Sequence, residues 1–311
     1  MIDTLLRVLP LFAVMALGAL SGALGLFAEP KGAIAALNRF ALYVAFPLLV
    51  VASLADGTKA LAGGAGFYAA HGVALVAQLV LLVGVRRVWG PVREEGGAMI
   101  LGGIFGNIAY IGIPFCVATL GEGVTGLAAL SAALHIVVGM GLGPLLLVGG
   151  EGRPWGEVVR RVLVQPLVWS PVAGLGLRLL PWSEVSAQAV RYAAPVGAAA
   201  SPVALFLIGY YVFVNRGVLT RPDARLATVS VAKLAVYPAV AWAAAWLTAR
   251  WLPLTPVEVA VVVAMAAMPV AVTTFALAEE FGRGQATLSR AVVATTLLSV
   301  VTLPVWASLV G

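Results

Sequence analysis

The sequence predicts an all-α membrane protein with ten transmembrane helices, and three observations lead there. Charged residues make up 10% of the 311 positions and hydrophobic ones 62%, whereas a soluble domain carries about 25% charged residues. Apolar runs bounded by charge, Gly and Pro fall at 5–27, 36–54, 65–85, 97–119, 124–148, 162–180, 190–214, 226–249, 257–278 and 286–309. Each is near the ~20 residues a helix needs to cross a hydrocarbon core roughly 30 Å thick. A β-barrel would instead show segments of about ten residues with alternating polarity, and these runs are continuous.

The first run follows a short stretch holding one Arg and ends without a small-x-small cleavage pattern, so it reads as a retained helix. The mean hydropathy is +1.04. The gaps are short and none resembles a soluble domain, so residues 1–311 read as one membrane unit. A net charge of +6 could suggest nucleic acid, but Lys and Arg sit almost entirely in the short gaps, where they are topology signals. The odd-numbered gaps carry Lys31, Arg39, Arg86, Arg87, Arg93, Arg153, Arg160, Arg161, Arg216, Arg221, Arg225, Arg283 and Arg290; the other side carries Arg7, Lys59, Arg178, Arg191 and Arg250. That excess places the odd gaps in the cytoplasm and both termini outside, in a bacterial inner membrane. The single cysteine, Cys116, excludes an intrachain disulfide and a cysteine-rich metal site. No cofactor is expected.

Prolines recur when the numbering is shifted by about half the chain: Pro10 with Pro166, Pro47 with Pro202, and Pro114 with Pro269. This points to two repeats, 1–150 and 151–311. Five spans per repeat is an odd number, so the second repeat enters from the opposite side, which makes the repeats inverted.

The fourth run contains Gly106-Asn107-Ile-Ala-Tyr110-Ile-Gly112-Ile-Pro114. Pro114 removes a backbone donor and clashes with the carbonyl of Tyr110, and Gly112 eases an opening, so a break is expected there. The ninth run offers Met268-Pro269-Val-Ala-Val-Thr273-Thr274. Two broken helices meeting near the midplane would bring half-helix N-termini to one point, where an anion could be held. Asn107 lies among small residues, where its amide needs another helix or a ligand as partner. Thr273 and Thr274 could offer hydroxyls to a substrate or bond their own backbone. Among intramembrane ionisable groups, His135 suits proton coupling or a carboxylate contact, with a carbonyl-bonded packing role as the alternative. Lys233 could snorkel outward or balance a site charge, and His71 reads as a packing or interface group.

These stretches, with Tyr43-Val-Ala-Phe-Pro47-Leu-Leu, Ser201-Pro202-Val-Ala-Leu-Phe-Leu-Ile-Gly209, Lys233-Leu-Ala-Val-Tyr-Pro238 and Ala278-Glu279-Glu280-Phe-Gly282, resemble the auxin efflux carrier family, which includes plant auxin exporters and bacterial malonate and malate permease-like carriers. The resemblance spans nearly the whole chain. It implies ten helices in two inverted five-helix repeats with crossed broken helices 4 and 9, as in sodium/bile-acid symporters and related antiporters. It implies a scaffold of spans 1, 2, 6 and 7 that supports a homodimer, and a transport core of spans 3–5 and 8–10. The core would move in an elevator-like alternating-access cycle, with an organic anion at the crossing. The long loop of the plant members is absent, residues 149–161 being the whole of it here, and His135 stands where amide side chains are common in the family.

The function expected is secondary transport of a small organic anion, a carboxylate. Asn107, Tyr110, Gly112, Pro114, Pro269, Thr273, Thr274 and His135 would bind it, Ser53 would gate it, and His135 and Lys233 would serve coupling or charge balance. The coupling ion, H+ or Na+, is left open. A cation/proton antiporter of the same fold type would need paired mid-membrane carboxylates, and Asp3, Asp56, Asp223 and the Glu residues fall near span ends. A passive anion channel is the other alternative. An enzyme is not expected, since the chain holds no His-Glu-x-x-His or Gly-x-Ser-Gly arrangement.

Overall fold

The computed structural model describes residues 2–56, 63–89, 93–148, 156, 160, 163–179, 183–219 and 223–310. The regular secondary structure of those residues is helical, with no strand beyond one isolated bridge. The helices are α1 (Ile2–Ala23), α2 (Pro30–Phe40), α3 (Phe46–Ala55), α4 (Ala65–Trp89), α5 (Arg93–Ile104), α6 (Ile113–Leu120), α7 (Thr125–Val148), α8 (Pro166–Leu179), α9 (Ser183–Ala198), α10 (Ala200–Val214), α11 (Ala224–Val231), α12 (Tyr237–Thr248), α13 (Pro256–Ala266), α14 (Val272–Phe281) and α15 (Gln285–Val310). Lys59, Arg153, Arg161 and Arg221, the boundary between the two expected repeats, and all of 149–161 except 156 and 160 lie outside the described residues.

Seven helical segments among the described residues are long and apolar enough to cross a bilayer: Leu6–Ala23, Pro30–Ala55, Ala65–Arg87, Glu122–Leu147, Glu184–Val214, Ala224–Thr248 and Gln285–Val310. Two shorter apolar helices, Ile108–Leu120 and Pro256–Ala266, adjoin the interruptions described below. Large apolar side chains such as Leu17, Val80, Val172, Trp246 and Val301 face outward. That is the pattern of helices solvated by lipid, where every backbone polar group must be bonded within the protein.

Three segments cross a proline by way of a π-helical turn. Ala41–Ala45 before Pro47, Ile108–Gly112 before Pro114, and Ala232–Val236 before Pro238 each form a five-residue π-helical turn that ends two residues ahead of the proline. The wider turn shifts the ladder, so that Phe46 N–H reaches Ala41 O, Ile113 N–H reaches Ile108 O and Tyr237 N–H reaches Ala232 O. A π-bulge of this kind relieves the clash a proline ring makes with the carbonyl four residues back. At Pro238 that carbonyl, Leu234 O, accepts a bond from Trp306 Nε1–H at 2.8 Å.

The most extensive helix pairings join α1 to α10, α3 to α8 and α9, α4 to α12, α12 to α13, and α5 to α7. At the centre of the molecule, the chain between α5 and α6 meets the chain between α13 and α14.

Candidate functional site

The first interruption lies at Phe105–Asn107, two turns before Pro114. This corrects the expected break point: Pro114 sits in the first turn of α6, and its cost is met by the π turn rather than by opening the helix. The second interruption follows Ala266 and contains Pro269 as expected. The two pair as a short antiparallel bridge between Gly106 and Val270, with Asn107 N–H donating to Pro269 O at 2.7 Å and Ala271 N–H to Phe105 O at 3.0 Å. The bridging residues are 164 positions apart. Gly106 permits the crossing: a Cβ there would stand 3.0 Å from Lys233 Nζ and 3.3 Å from Met268 Cβ. Gly112 lies against the Met265 and Met268 side chains.

The crossing creates four helix ends, and their partners differ by polarity. At the carbonyl ends, Lys233 Nζ donates to Ala266 O at 2.6 Å, and Gln78 Nε2 donates to Gly103 O at 3.2 Å and to Ala232 O at 3.0 Å. Lys233 is fully buried, with Nζ 4.7 Å from the Tyr237 ring centroid. Its stem therefore runs inward to a C-terminal carbonyl, the end of a helix dipole that favours a cation, and does not snorkel. The orphan Val270 N–H donates to Thr295 Oγ1 at 3.0 Å.

The amino ends face a cavity instead. Ile108, Ala109 and Tyr110 open one half-helix, and Ala271 and Thr273 stand at the start of the other; all line a small internal cavity of about 20 Å³, with Phe105, Gly106, Asn107, His135, Met140 and Gln165. The first turn of any helix leaves backbone N–H groups without intrahelical partners. Asn107, 4% exposed, precedes the first turn, yet its side chain does not cap it, and its Nδ2 has no hydrogen-bond partner. A buried amide left so is costly unless a guest supplies an acceptor. The cavity shares Leu42, Met140, Gln165 and Thr273 with a vestibule of about 530 Å³, whose lining also includes Asn38, Arg39, Tyr43, Arg160 and Glu280.

A model of the family described as "Membrane transport protein" matches residues 4–148 and 155–307. The chain belongs to that family. It is the auxin efflux carrier group that the motifs indicated. This membrane transport protein is also 26% identical, over 306 residues, to the "Putative malonate transporter" of Rhizobium meliloti (strain 1021), a match covering 95% of this chain and 92% of the relative. The chain is thus a multi-pass membrane transporter.

The structure brings Asn107, Tyr110, His135 and Thr273 to the cavity and places other candidates elsewhere in this family member. Pro114 is buried within α6, and Pro269 contributes its carbonyl to the bridge. Thr274 Oγ1 donates to Ala271 O at 2.7 Å, bonding its own helix rather than offering its proton to the cavity. Ser53 is buried in α3 and lines neither cavity nor vestibule. Tyr110 lines the cavity, its ring stacks on Phe46 at 5.4 Å and its Oη donates to Asn38 Oδ1 at 2.6 Å. His71, read from sequence as a packing group, belongs to a buried polar chain with Ser131 and His135. Gln78, Ser131, Tyr237 and Thr295 escaped the sequence reading, although the rarity of polar groups in these runs was a signal for the first two.

Proposed function

We propose that this chain is a secondary transporter of a small organic anion, a mono- or dicarboxylate of malonate's size, working by elevator-like alternating access. The observation that carries the reading is the unequal treatment of the four helix ends at the crossing. Carbonyl ends are where broken-helix transporters coordinate cations, and here Lys233 and Gln78 already fill two of them. The amino ends and the unpartnered Asn107 amide are left to a guest, which must therefore be an acceptor of hydrogen bonds carrying negative charge. The same asymmetry argues against the cation/proton antiporter. The described name of the Rhizobium relative supports a dicarboxylate.

On this reading the fold is the ten-helix pair of inverted repeats, and α4–α7 with α11–α15 form the moving core. The scaffold, α1–α3 with α8–α10, supports a homodimer. The vestibule opens beside Arg39 and Arg160, on the side that the positive-inside rule assigns to the cytoplasm, so this conformation faces inward. Export of an anion is favoured by an inside-negative potential at about 2.3 kcal/mol per charge per 100 mV and needs no coupling ion.

The test is uptake of labelled malonate, malate, oxalate and indole-3-acetate into proteoliposomes. Saturable flux of at least one carboxylate, competed by its congeners, is expected. Flux that rises linearly with concentration would favour a channel, and absence of flux with every acid would remove the carboxylate reading.

A further inference from the structure

Two buried histidines, one in the cavity wall and one behind it, are joined through one serine. His71 on α4 bonds Phe67 O through Nδ1 at 2.9 Å and Ser131 Oγ through Nε2 at 2.7 Å. His135 on α7 bonds Ser131 O through Nδ1 at 2.9 Å and the Tyr237 hydroxyl through Nε2 at 3.3 Å. A carbonyl only accepts, so both Nδ1 atoms carry the proton. In the neutral rings both Nε2 atoms are therefore acceptors, taking hydrogen bonds from the hydroxyls of Ser131 and Tyr237. The two rings stand 5.5 Å apart, and His135 also lines the cavity beside Asn107.

We infer that His71 and His135 form a site for a single proton, whose uptake at His135 Nε2 accompanies binding of the anion at Asn107. The inference rests on the proposed carboxylate site. Three features of the geometry support it. His135 Nε2 is the one lone pair of the pair that belongs to a cavity-lining residue, and Tyr237 can turn its hydroxyl to accept once Nε2–H exists, so both states keep their hydrogen bond. Two imidazolium rings 5.5 Å apart away from water would repel each other, which holds the pair to one proton. The groups that face His135 are His71 from α4, Lys233 and Tyr237 from the segment 232–248, and Tyr110 across the cavity. Lys233 is the basic side chain among them; in its charged form it and an imidazolium at His135 would repel each other, and an anionic guest offsets both charges. Proton and anion then favour each other, and the factor by which each tightens the other is the same. The proton enters from solution and leaves to solution with the anion; no bond other than N–H forms or breaks.

The experiment is labelled malonate transport in proteoliposomes holding a lumenal pH dye, across outside pH values above about 7, where a small dicarboxylate is fully ionised. The wild type is expected to move protons with malonate and to show an apparent KM that rises toward tenfold per pH unit. His135→Gln is expected to transport more weakly, with a flat KM and no proton movement. His71→Gln, which leaves the cavity lining intact, is expected to shift the pH at which KM begins to rise. Malonate flux in the wild type without proton movement or pH-dependent KM would overturn the inference and leave the carboxylate reading standing, whereas no carboxylate flux at all would mean that the carboxylate reading itself had failed. Should His135→Gln not fold, the wild-type dye signal and the His71→Gln profile decide alone; retained proton movement in a folded His135→Gln protein also overturns the inference.

Discussion

Asn107 serves the crossing with its backbone and the guest with its side chain. Its N–H ties the first break to Pro269 O, while its Nδ2 stays unpartnered at the cavity. A hydrogen bond to a charged partner contributes about 1.5–3 kcal/mol, so Asn107→Ala is expected to weaken carboxylate affinity by roughly 10- to 100-fold while leaving thermal stability near wild type. Unchanged affinity in equilibrium binding would remove the amide from the site. Gly106 is a steric position: Gly106→Val would push side-chain atoms against Lys233 and Met268, and loss of transport with retained membrane insertion is expected from flux and surface-expression assays. Asn107 and His135 were legible in the sequence because polar groups deep in apolar runs are rare and costly. Thr274 takes the second of its two readings, bonding its own backbone, and Ser53 packs within α3 away from the cavity; a hydroxyl can do either, and only the rotation of the helix decides which. Lys233 lay close to a run end in sequence, which suggested an outward-reaching stem; the deep carbonyl end that captures it belongs to another helix 33 residues away.

At the scale of the element, prolines marked where helices are irregular but not how. Pro47, Pro114 and Pro238 are each absorbed by a π turn, whereas the true opening between α5 and α6 falls at Gly106, a residue with no backbone defect of its own. What opens the chain there is a partner: the peptide groups of the second break satisfy those of the first, a pairing that no local pattern encodes. Thr295 is part of that arrangement. Thr295→Val leaves the buried Val270 N–H without an acceptor, and an unmet group of this kind costs about 1–3 kcal/mol. Lower thermal stability of Thr295→Val in detergent, restored by Thr295→Ser, is the expected outcome. Equal stability of Val and Thr variants would show that the break finds another donor–acceptor pairing.

For the whole molecule, class and membrane residence were evident from continuous apolar runs and scarce charge, and the runs agree with the seven long segments to within a few residues at most ends. Larger differences occur at Pro30, where a proline at the first helical position starts the helix earlier, and where a kink at Ala199 divides α9 from α10 and the helix starts at Ser183. Orientation rests on charge alone and is open to direct measurement. With Cys116 buried, cysteines at exposed Lys31 and Glu122 are expected to label from opposite faces in oriented vesicles, Glu122→Cys from outside and Lys31→Cys from inside. The reverse labelling would invert the topology and turn the vestibule outward. The central claim, a carboxylate held by half-helix amino ends and the Asn107 amide, is tested most directly by locating a bromine-substituted malonate in crystals of the protein by anomalous scattering. The expected peak lies where the cavity bounded by Asn107, Ile108, His135 and Thr273 meets the vestibule, with a carboxylate oxygen inside the cavity in hydrogen-bond reach of Asn107 Nδ2. A peak confined to the vestibule beside Arg39 and Arg160, with that cavity empty, would contradict it.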